Sequence, residues 1–243
     1  IKELADYKIN MLVWEWEDKF AYPSHPEIGA PGAFTPAEIR DVTAYAKKYH
    51  IQIVPLVQGL GHSSFILKWP QFAHLRETPA SNFEFCPLKE GSYDLLFDLW
   101  KDAIDATPGS EYIHIGSDET YELGQCEQCQ KKAAEISKKG LYHLFTDRAA
   151  KYILSKKRKP MVWEMPMGWE MNNNGMTIQP NKGLVLTEDD TRRDIMIDNG
   201  RRAKQLGYEV FFYDPNPGIE PLFLPYFYRD ETDTESIGCL EES

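Results

Sequence analysis

The sequence has no apolar run long enough to cross a membrane, little basic charge and only 4 cysteines. Its longest apolar runs, such as Ile51 to Val57, fall far short of the roughly 18 residues that span a bilayer. It has 27 basic residues against 38 acidic ones, and its net charge of -11 repels phosphate backbones and anionic membranes. We therefore expect no membrane insertion and no nucleic-acid partner.

The sequence also lacks internal repeats, low-complexity tracts and any segment that resembles a linker. Its 42% hydrophobic and 13% aromatic content can bury a sizeable core, which excludes intrinsic disorder. We predict one domain over residues 1–243. The chain opens at Ile1 without a leader pattern, which says nothing about export. We expect a soluble protein and favour a periplasmic or secreted location over a cytoplasmic one.

Short apolar runs alternate with helical patterns, which is typical of parallel strands joined by crossover helices. The runs are nearly continuous rather than alternating, as in a sheet that is buried on both faces. Seven strands are predicted: Ile9–Trp16, Gln52–Val57, Tyr112–Gly116, Pro160–Met165, Gly183–Thr187, Glu209–Tyr213 and Ser236–Leu240. Because Lys2 to Tyr7 resembles the end of a helix that leads into a strand, we expect an eighth strand upstream of Ile1. The predicted fold is an α/β (β/α)8 TIM barrel without its first strand and terminal regions.

One helix start is especially well specified. Thr35, Pro36 and Glu38 supply a capping hydroxyl, a first-turn proline and a reciprocal carboxylate, so a helix should begin at Pro36 and end near Lys48. Similar patterns predict helices over Tyr93–Ala106, Leu141–Leu154 and Thr191–Leu206. Two longer stretches, Gly59–Gly91 and Met167–Lys182, do not fit the minimal strand-helix unit and are predicted to be functional loops.

Acidic residues follow the predicted strands, at the end where a barrel of this kind builds its active site. Tryptophans occur in the same zones, and acids beside flat aromatic faces are typical of sugar sites. The polar residues in question are Glu17, Asp18, His62, Asp118, Glu119, Glu164, Glu188, Asp189, Asp190, Asp214, Glu241 and Glu242. The pattern predicts an acidic pocket, although any single one of these residues could be an ordinary solvated loop residue.

The sharpest local signal is the segment Tyr112 to Glu119, in which a β-branched run ends in two small residues and two adjacent carboxylates. Adjacent carboxylates repel each other, and burial would raise one pKa towards that of a general acid. Two consecutive residues cannot act from opposite sides of a glycosidic bond, where the carboxyl groups of an ordinary retaining pair stand about 5 Å apart or more.

The segment His114 to Glu119 resembles the His-x-Gly-Gly-Asp-Glu signature of glycoside hydrolase family 20, the β-N-acetylhexosaminidases, with Ser117 in place of the second glycine. The likeness covers nearly the whole chain. Leu56 to His62 and Glu17 to Phe20 look most like the hexosaminidase D branch of that family. Two departures stand out, because Leu240 and the Leu186–Glu188 segment occupy positions where the family usually has tryptophan.

The resemblance implies a retaining exo-β-N-acetylhexosaminidase that acts on terminal amino sugars of glycans by substrate-assisted catalysis. Asp118 would orient the 2-acetamido group of the substrate, and Glu119 would act as general acid and base. His62, together with Asp18, would support Glu119.

The same resemblance places three further residues around the sugar. Trp163 would form a wall of the acetamido pocket, Tyr213 would donate a hydrogen bond to the acetamido carbonyl, and Glu242 would bind a sugar hydroxyl. No cofactor and no metal are expected. The N-acetylhexosamine preferred and the oligomeric state are left open.

Two rival interpretations remain. A barrel that binds sugar without cleaving it would account for the missing tryptophans. A metal-dependent hydrolase using His62, His114 and the acids is disfavoured, because His114 lies inside a strand and no His-x-His pair follows any strand.

The Cys126–Cys129 pair, a C-x-x-C motif, is weak by itself. We expect reduced structural thiols, with a disulfide or a zinc site as alternatives. Zinc would require two more ligands, for which Cys86 and His143 are the distant candidates.

Overall fold

A computed structural model describes residues 1–163, 179–189 and 203–213. Within these residues six strands form one sheet, and each strand pairs in parallel with the next along the chain. They are β1 (Met11–Glu15), β2 (Gln52–Leu56), β3 (Tyr112–His114), β4 (Lys159–Val162), β5 (Val185–Asp189) and β6 (Glu209–Tyr213). The predicted parallel α/β arrangement is confirmed for these six. The predicted seventh strand, Ser236–Leu240, lies outside the described residues.

The third strand is shorter than predicted. It ends at His114, two residues before the predicted end at Gly116. Gly116 has a φ of +58° and Ser117 a φ of +71°, which are incompatible with extended backbone. The chain therefore leaves the sheet just before the two adjacent carboxylates.

The described helices are α1 (Lys2–Asp6), α2 (Pro36–Lys47), α3 (Ser64–Leu67), α4 (Glu90–Ala106) and α5 (Glu127–Ser155), with 3-10 turns at Glu17–Lys19 and Pro70–Leu75. The predicted start of α2 is confirmed, since Thr35 and Glu38 form the reciprocal capping box. The fifth helix begins fourteen residues earlier than the predicted Leu141, with a break at Ser137, whose φ of 70° is not helical. Of the helix predicted over Thr191–Leu206, residues 203–205 are helical and residues 191–202 lie outside the described part.

The main core lies between one face of the sheet and helices α4 and α5. Trp100 and Phe145 are buried there against the strand residues Ile113 and Val162, and the Trp100 indole N–H donates to the Val57 carbonyl at 3.0 Å. Neighbouring strand residues point to the opposite face. On that face a smaller cluster is formed by Val54, Tyr112, Met161 and Val185. Among the described helices none combines the length and the apolar character that a bilayer crossing requires.

Candidate active site

A cavity of about 480 Å³ opens at the carboxyl edge of the sheet, where the loops after β1, β2, β3 and β4 meet. This is the edge at which parallel α/β folds bind their ligands. The cavity is lined by Glu15, Glu17, Gln58, His62, Ser64, Phe65, Lys68, Asn82, Phe83, Asp118 and Trp163. Carboxylates, amides and flat rings therefore surround one space. Of the residues singled out in the sequence, Glu17, His62, Asp118 and Trp163 line it.

One imidazole nitrogen lies against both members of the acid pair. His62 Nε2 is 3.3 Å from Asp118 Oδ2 and 3.0 Å from Glu119 Oε2. The side chains differ in exposure: 20% for His62, 25% for Asp118 and 52% for Glu119. Asp118 thus belongs to the cavity wall, whereas Glu119 contacts His62 and remains open to solvent.

The charge of His62 follows from these contacts. Burial disfavours the imidazolium, but the hydrogen bond and charge of Asp118, helped by Glu119, outweigh it and raise the pKa of His62 to about 9. The raised pKa favours the imidazolium form of His62 at neutral pH. Its Nε2–H is then placed to donate to the carboxyl oxygens of Asp118 and Glu119.

Four residues at this edge of the sheet have backbone in the left-handed region. The φ angles are +42° at Glu17, +53° at His62, +71° at Ser117 and +49° at Glu119. Such conformations are uncommon for residues other than glycine and recur at functional sites. They turn consecutive side chains in directions that a strand or helix would not allow, which brings His62 and Glu119 together.

Gly116 is required by close packing as well as by its φ. A Cβ built on Gly116 would lie 1.7 Å from Gln58 Oε1. That same oxygen accepts a hydrogen bond of 3.1 Å from the Ser117 N–H, while Gln58 Nε2 donates to Glu15 Oε1 at 2.9 Å. Gln58 therefore fixes the backbone just before Asp118 to a carboxylate on β1.

Glu15 and Gln58 were not predicted as site residues, and both line the cavity. Burial raises the pKa of Glu15 to about 7; the hydrogen bond from Gln58 opposes this shift, and the charges of Glu17 and Asp118 add to it. A signal was present in the sequence, because Glu15 is the one ionisable residue in the predicted strand Ile9–Trp16 and lies within its apolar part. Such a residue points into the ligand cavity or needs a buried partner.

Asp118 has one oxygen that is buried without a partner. Its Oδ2 contacts His62, but its Oδ1 accepts no hydrogen bond from any described residue. Buried carboxylate oxygens are normally hydrogen-bonded. An unpartnered acceptor in the wall of a cavity is suited to receive an N–H or O–H from a ligand.

Trp163 lines the same cavity, and its ring packs against the His114 imidazole with 4.4 Å between centroids. His114 is buried, and burial lowers its pKa to about 3. Its two nitrogens are engaged, with Nε2 at 3.1 Å from Thr187 Oγ1 and Nδ1 accepting from the Gly116 N–H at 3.0 Å. His114 therefore packs against Trp163, which lines the cavity, and its nitrogens are not available as metal ligands.

The catalytic-domain model of glycosyl hydrolase family 20 matches residues 1–208 of this chain. The chain belongs to that family. Human hexosaminidase D is 31% identical over 160 residues, which cover 64% of this chain and 33% of the human protein. The bovine hexosaminidase D is 35% identical over 119 residues, which cover 49% of this chain and 34% of that protein. The chain thus spans about a third of the length of these relatives.

Solved structures of family 20 proteins share the fold. A chitobiase from Flavobacterium johnsoniae superimposes with a TM-score of 0.73 at 22% identity, covering 88% of this chain and 34% of that one. A β-N-acetylhexosaminidase from Bacteroides fragilis gives 0.71 at 19% identity, covering 89% and 46%. These neighbours are TIM barrels, and the six parallel strands described above correspond to part of such a barrel.

One predicted contact is not formed in this family 20 chain. Asp18 was expected to act with His62, but it pairs with Lys19 and, at 3.5 Å, with Lys68. Burial opposes the charged carboxylate, yet these two cations hold the pKa of Asp18 below its usual value. The reason is local, because the 3-10 turn Glu17–Lys19 directs Asp18 towards α3 and leaves Glu17 facing the cavity.

The remaining predicted residues of this family 20 chain are only partly described. Tyr213 ends β6, with its backbone paired to Asp189, and its side chain lies outside the described part. Glu164, Asp190, Asp214, Glu241 and the predicted sugar ligand Glu242 also lie outside the described residues. The structure therefore brings together His62, Asp118, Glu119 and Trp163.

Proposed function

We propose that the protein is a retaining exo-β-N-acetylhexosaminidase that uses the 2-acetamido group of its substrate as the nucleophile. Its described sheet would form part of a closed eight-stranded barrel that holds the terminal sugar at the carboxyl edge of the strands. Membership of family 20 and the hexosaminidase relatives support this class of reaction. The unpartnered, buried Asp118 Oδ1 is the observation that carries the proposed mechanism.

Asp118 is the residue that orients the acetamido group. Its Oδ2 is held by His62, so its free Oδ1 accepts the acetamido N–H of the bound sugar. This hydrogen bond places the acetamido carbonyl oxygen below the anomeric carbon and stabilises the positive charge that develops on the nitrogen. The nearby Trp163 ring gives the acetyl methyl an apolar contact.

Glu119 is the proton donor and acceptor. The acetamido carbonyl oxygen forms a bond to C1 while the C1–O bond to the leaving group breaks and Glu119 protonates the departing oxygen. Glu119 then takes a proton from a water molecule that attacks C1 and reopens the oxazolinium ring, which gives net retention. Its half-exposed side chain suits this role, because the leaving group and the water both approach from solvent.

His62 is a positioning residue in this scheme. Its ring nitrogen contacts both acids and holds their side chains in place relative to each other. The family resemblance alone adds two residues to the proposed subsite. Tyr213 would donate a hydrogen bond to the acetamido carbonyl, and Glu242 would bind a sugar hydroxyl.

Matched aryl glycosides test the mechanism. The pair consists of p-nitrophenyl N-acetyl-β-glucosaminide and p-nitrophenyl β-glucoside, which differ only at C2. We expect turnover of the first and at least about 10³-fold slower turnover of the second, since only the first carries its own nucleophile. A series with mono-, di- and trifluoroacetyl groups should slow stepwise, because fluorine withdraws electrons from the attacking carbonyl.

Other outcomes separate the alternatives. Equal rates on the two glycosides would contradict substrate assistance, and rates insensitive to fluorination would do the same. Binding of N-acetylglucosamine without turnover of any glycoside would favour the sugar-binding barrel instead.

A further inference from the structure

A second group of ligating side chains lies outside the proposed active site. Glu77 and Cys86 come from the long loop after β2, and Cys126 and Cys129 come from the start of α5. Their donor atoms all lie within 4.8 Å of one another. His143, the other distant candidate from the sequence, is not part of this group. We propose that these four side chains bind one structural zinc ion.

The distances fit a tetrahedral centre. Cys86 Sγ is 3.7 Å from Cys126 Sγ and 3.5 Å from Cys129 Sγ. Zinc–sulfur bonds of about 2.3 Å at tetrahedral angles would place the sulfurs about 3.8 Å apart. Cys129 Sγ is 3.3 Å from Glu77 Oε2, close to the about 3.5 Å expected between a sulfur and a carboxylate oxygen on the same zinc.

A disulfide accounts for the arrangement less well. Its sulfurs would be about 2.05 Å apart, and one bond would still leave the third thiol beside a buried carboxylate. The Cys86 sulfur is nearly equidistant from those of Cys126 and Cys129, so the distances favour neither possible disulfide over the other. All three cysteines are free of disulfides in the structure.

The surroundings favour a cation. Glu77, Cys86 and Cys129 are buried, and Glu77 forms no ion pair with any described basic side chain. Its Oε1 accepts the backbone N–H groups of Gln125 and Cys126, which leaves Oε2 aimed at the thiols. A buried carboxylate is costly unless it is neutralised or coordinates a metal.

The C-x-x-C segment brings two sulfurs together at the start of α5. Cys126 is the N-cap of α5, and its Sγ accepts the Cys129 N–H at 3.4 Å. Three sulfurs and one carboxylate oxygen make a closed, four-coordinate set, in which Glu77 takes the place that a cysteine or a histidine usually has in structural zinc sites.

The proposed ion would join the two loops that carry the active-site residues. The loop after β2 holds His62, and the loop after β3 holds Asp118 and Glu119. A metal bond between their distal parts would fix the spacing between these loops. This zinc proposal is independent of the glycosidase mechanism and of any substrate.

Metal analysis of the protein purified from zinc-supplemented medium tests the proposal. We expect about one zinc per chain by inductively coupled plasma mass spectrometry, and a lower unfolding temperature after chelation. Replacement by Co²⁺ should produce the strong visible absorption of tetrahedral, thiolate-bound cobalt. A zinc-free protein that also gives no such cobalt spectrum would overturn the proposal, as would a disulfide among these cysteines in the non-reduced mass spectrum.

Paired variants locate the ion. Glu77→Gln should weaken zinc affinity at least about 10-fold, whereas Glu84→Gln, which changes a buried glutamate of the same loop, should leave it unchanged. Equal effects of the two variants would contradict the ligand assignment. Cys86→Ser should abolish the cobalt absorption; if that variant does not fold, the wild-type metal content and spectrum still decide the matter.

Discussion

The segments that follow β2 and β3 supply two clusters of ligating side chains, and the two clusters differ in their surroundings. The first cluster, His62, Asp118 and Glu119, lies at a cavity and is partly open to solvent. The second cluster, Glu77, Cys86, Cys126 and Cys129, is mostly buried, with its donor atoms facing one another.

The difference separates chemistry performed on a ligand from chemistry that holds the fold. In the first cluster Asp118 Oδ1 has no partner among the described residues, and Glu119 can reach solvent. A substrate can enter and exchange protons there. In the second cluster a small tetrahedral ion fits between the donors, and no path for a substrate is needed. Variants in the first cluster should therefore lower turnover while the zinc content stays at the wild-type value, whereas variants in the second should lower the zinc content and the unfolding temperature.

The largest expected effect is that of Glu119→Gln. Loss of the general acid should lower kcat on a chitobiose-type disaccharide by about 10²–10⁴-fold, and by less on an activated aryl glycoside. Glu127→Gln, at an exposed glutamate paired with Lys131, controls for the lost charge and should retain full activity. Unfolding temperature and zinc content should stay at wild-type values in both. Wild-type turnover of the disaccharide by Glu119→Gln would refute the acid assignment.

Asp118→Asn should lower kcat/KM by about 10²-fold and should also change the titration of His62. Because Asp118 is the leading favourable contact of the imidazolium, its neutralisation should move the pKa of His62 from about 9 towards 6.5. Nuclear magnetic resonance titration of the imidazole measures this shift. Glu119→Gln should give a smaller shift in the same direction, and the opposite ranking would contradict the geometry.

The sequence was sufficient for features that depend on neighbouring residues. The capping box of α2 lies within four residues, and the order and direction of the six described strands follow from apolar runs separated by helices. The acid pair in the loop after β3 was predicted from the residues of the segment Tyr112 to Glu119 itself. Each of these features is encoded locally, so periodicity and spacing reveal it.

The contacts between distant segments could not be obtained in this way. The meeting of Cys86 with Cys126 spans 40 residues and depends on the path of two irregular loops. Asp18 turns away from His62 because of a short 3-10 turn that no hydrophobic pattern marks. Gln58 is recognisable as a link only when its contacts to Glu15 and Ser117 are seen together.

Gly116→Ala tests the rigidity of the first cluster and should lower the free energy of unfolding by about 1–3 kcal/mol more than a control glycine does. Its new Cβ would collide with Gln58 Oε1, whereas Gly32, with a φ of +83°, has no atom within 4 Å of the corresponding position. Gly32→Ala therefore carries only the backbone cost. Urea denaturation compares the two, and equal losses would show that contact with Gln58 is unimportant.

A pH dependence of stability is expected at Glu15, which lines the cavity beside the first cluster. Burial raises the pKa of Glu15 from 4.5 to about 7, opposed by Gln58 and His62 and reinforced by Glu17 and Asp118. The folded chain therefore holds this proton more tightly than the unfolded chain. The resulting stability is complete below pH 4.5 and is lost as the pH rises through 7, at no more than about 1.4 kcal/mol per pH unit.

Glu15→Gln keeps a neutral acceptor for Gln58 and should flatten this dependence. Urea midpoints measured between pH 5 and 7 should fall with rising pH more in the wild type than in Glu15→Gln, while Glu127→Gln should follow the wild type. The measurements stop at pH 7 because His62 also loses stability as the pH rises, between its ordinary pKa of 6.5 and its raised pKa of about 9. Parallel curves for wild type and Glu15→Gln would mean that Glu15 is ionised in the folded protein throughout, and that the carboxylates of the first cluster tolerate a third neighbouring charge.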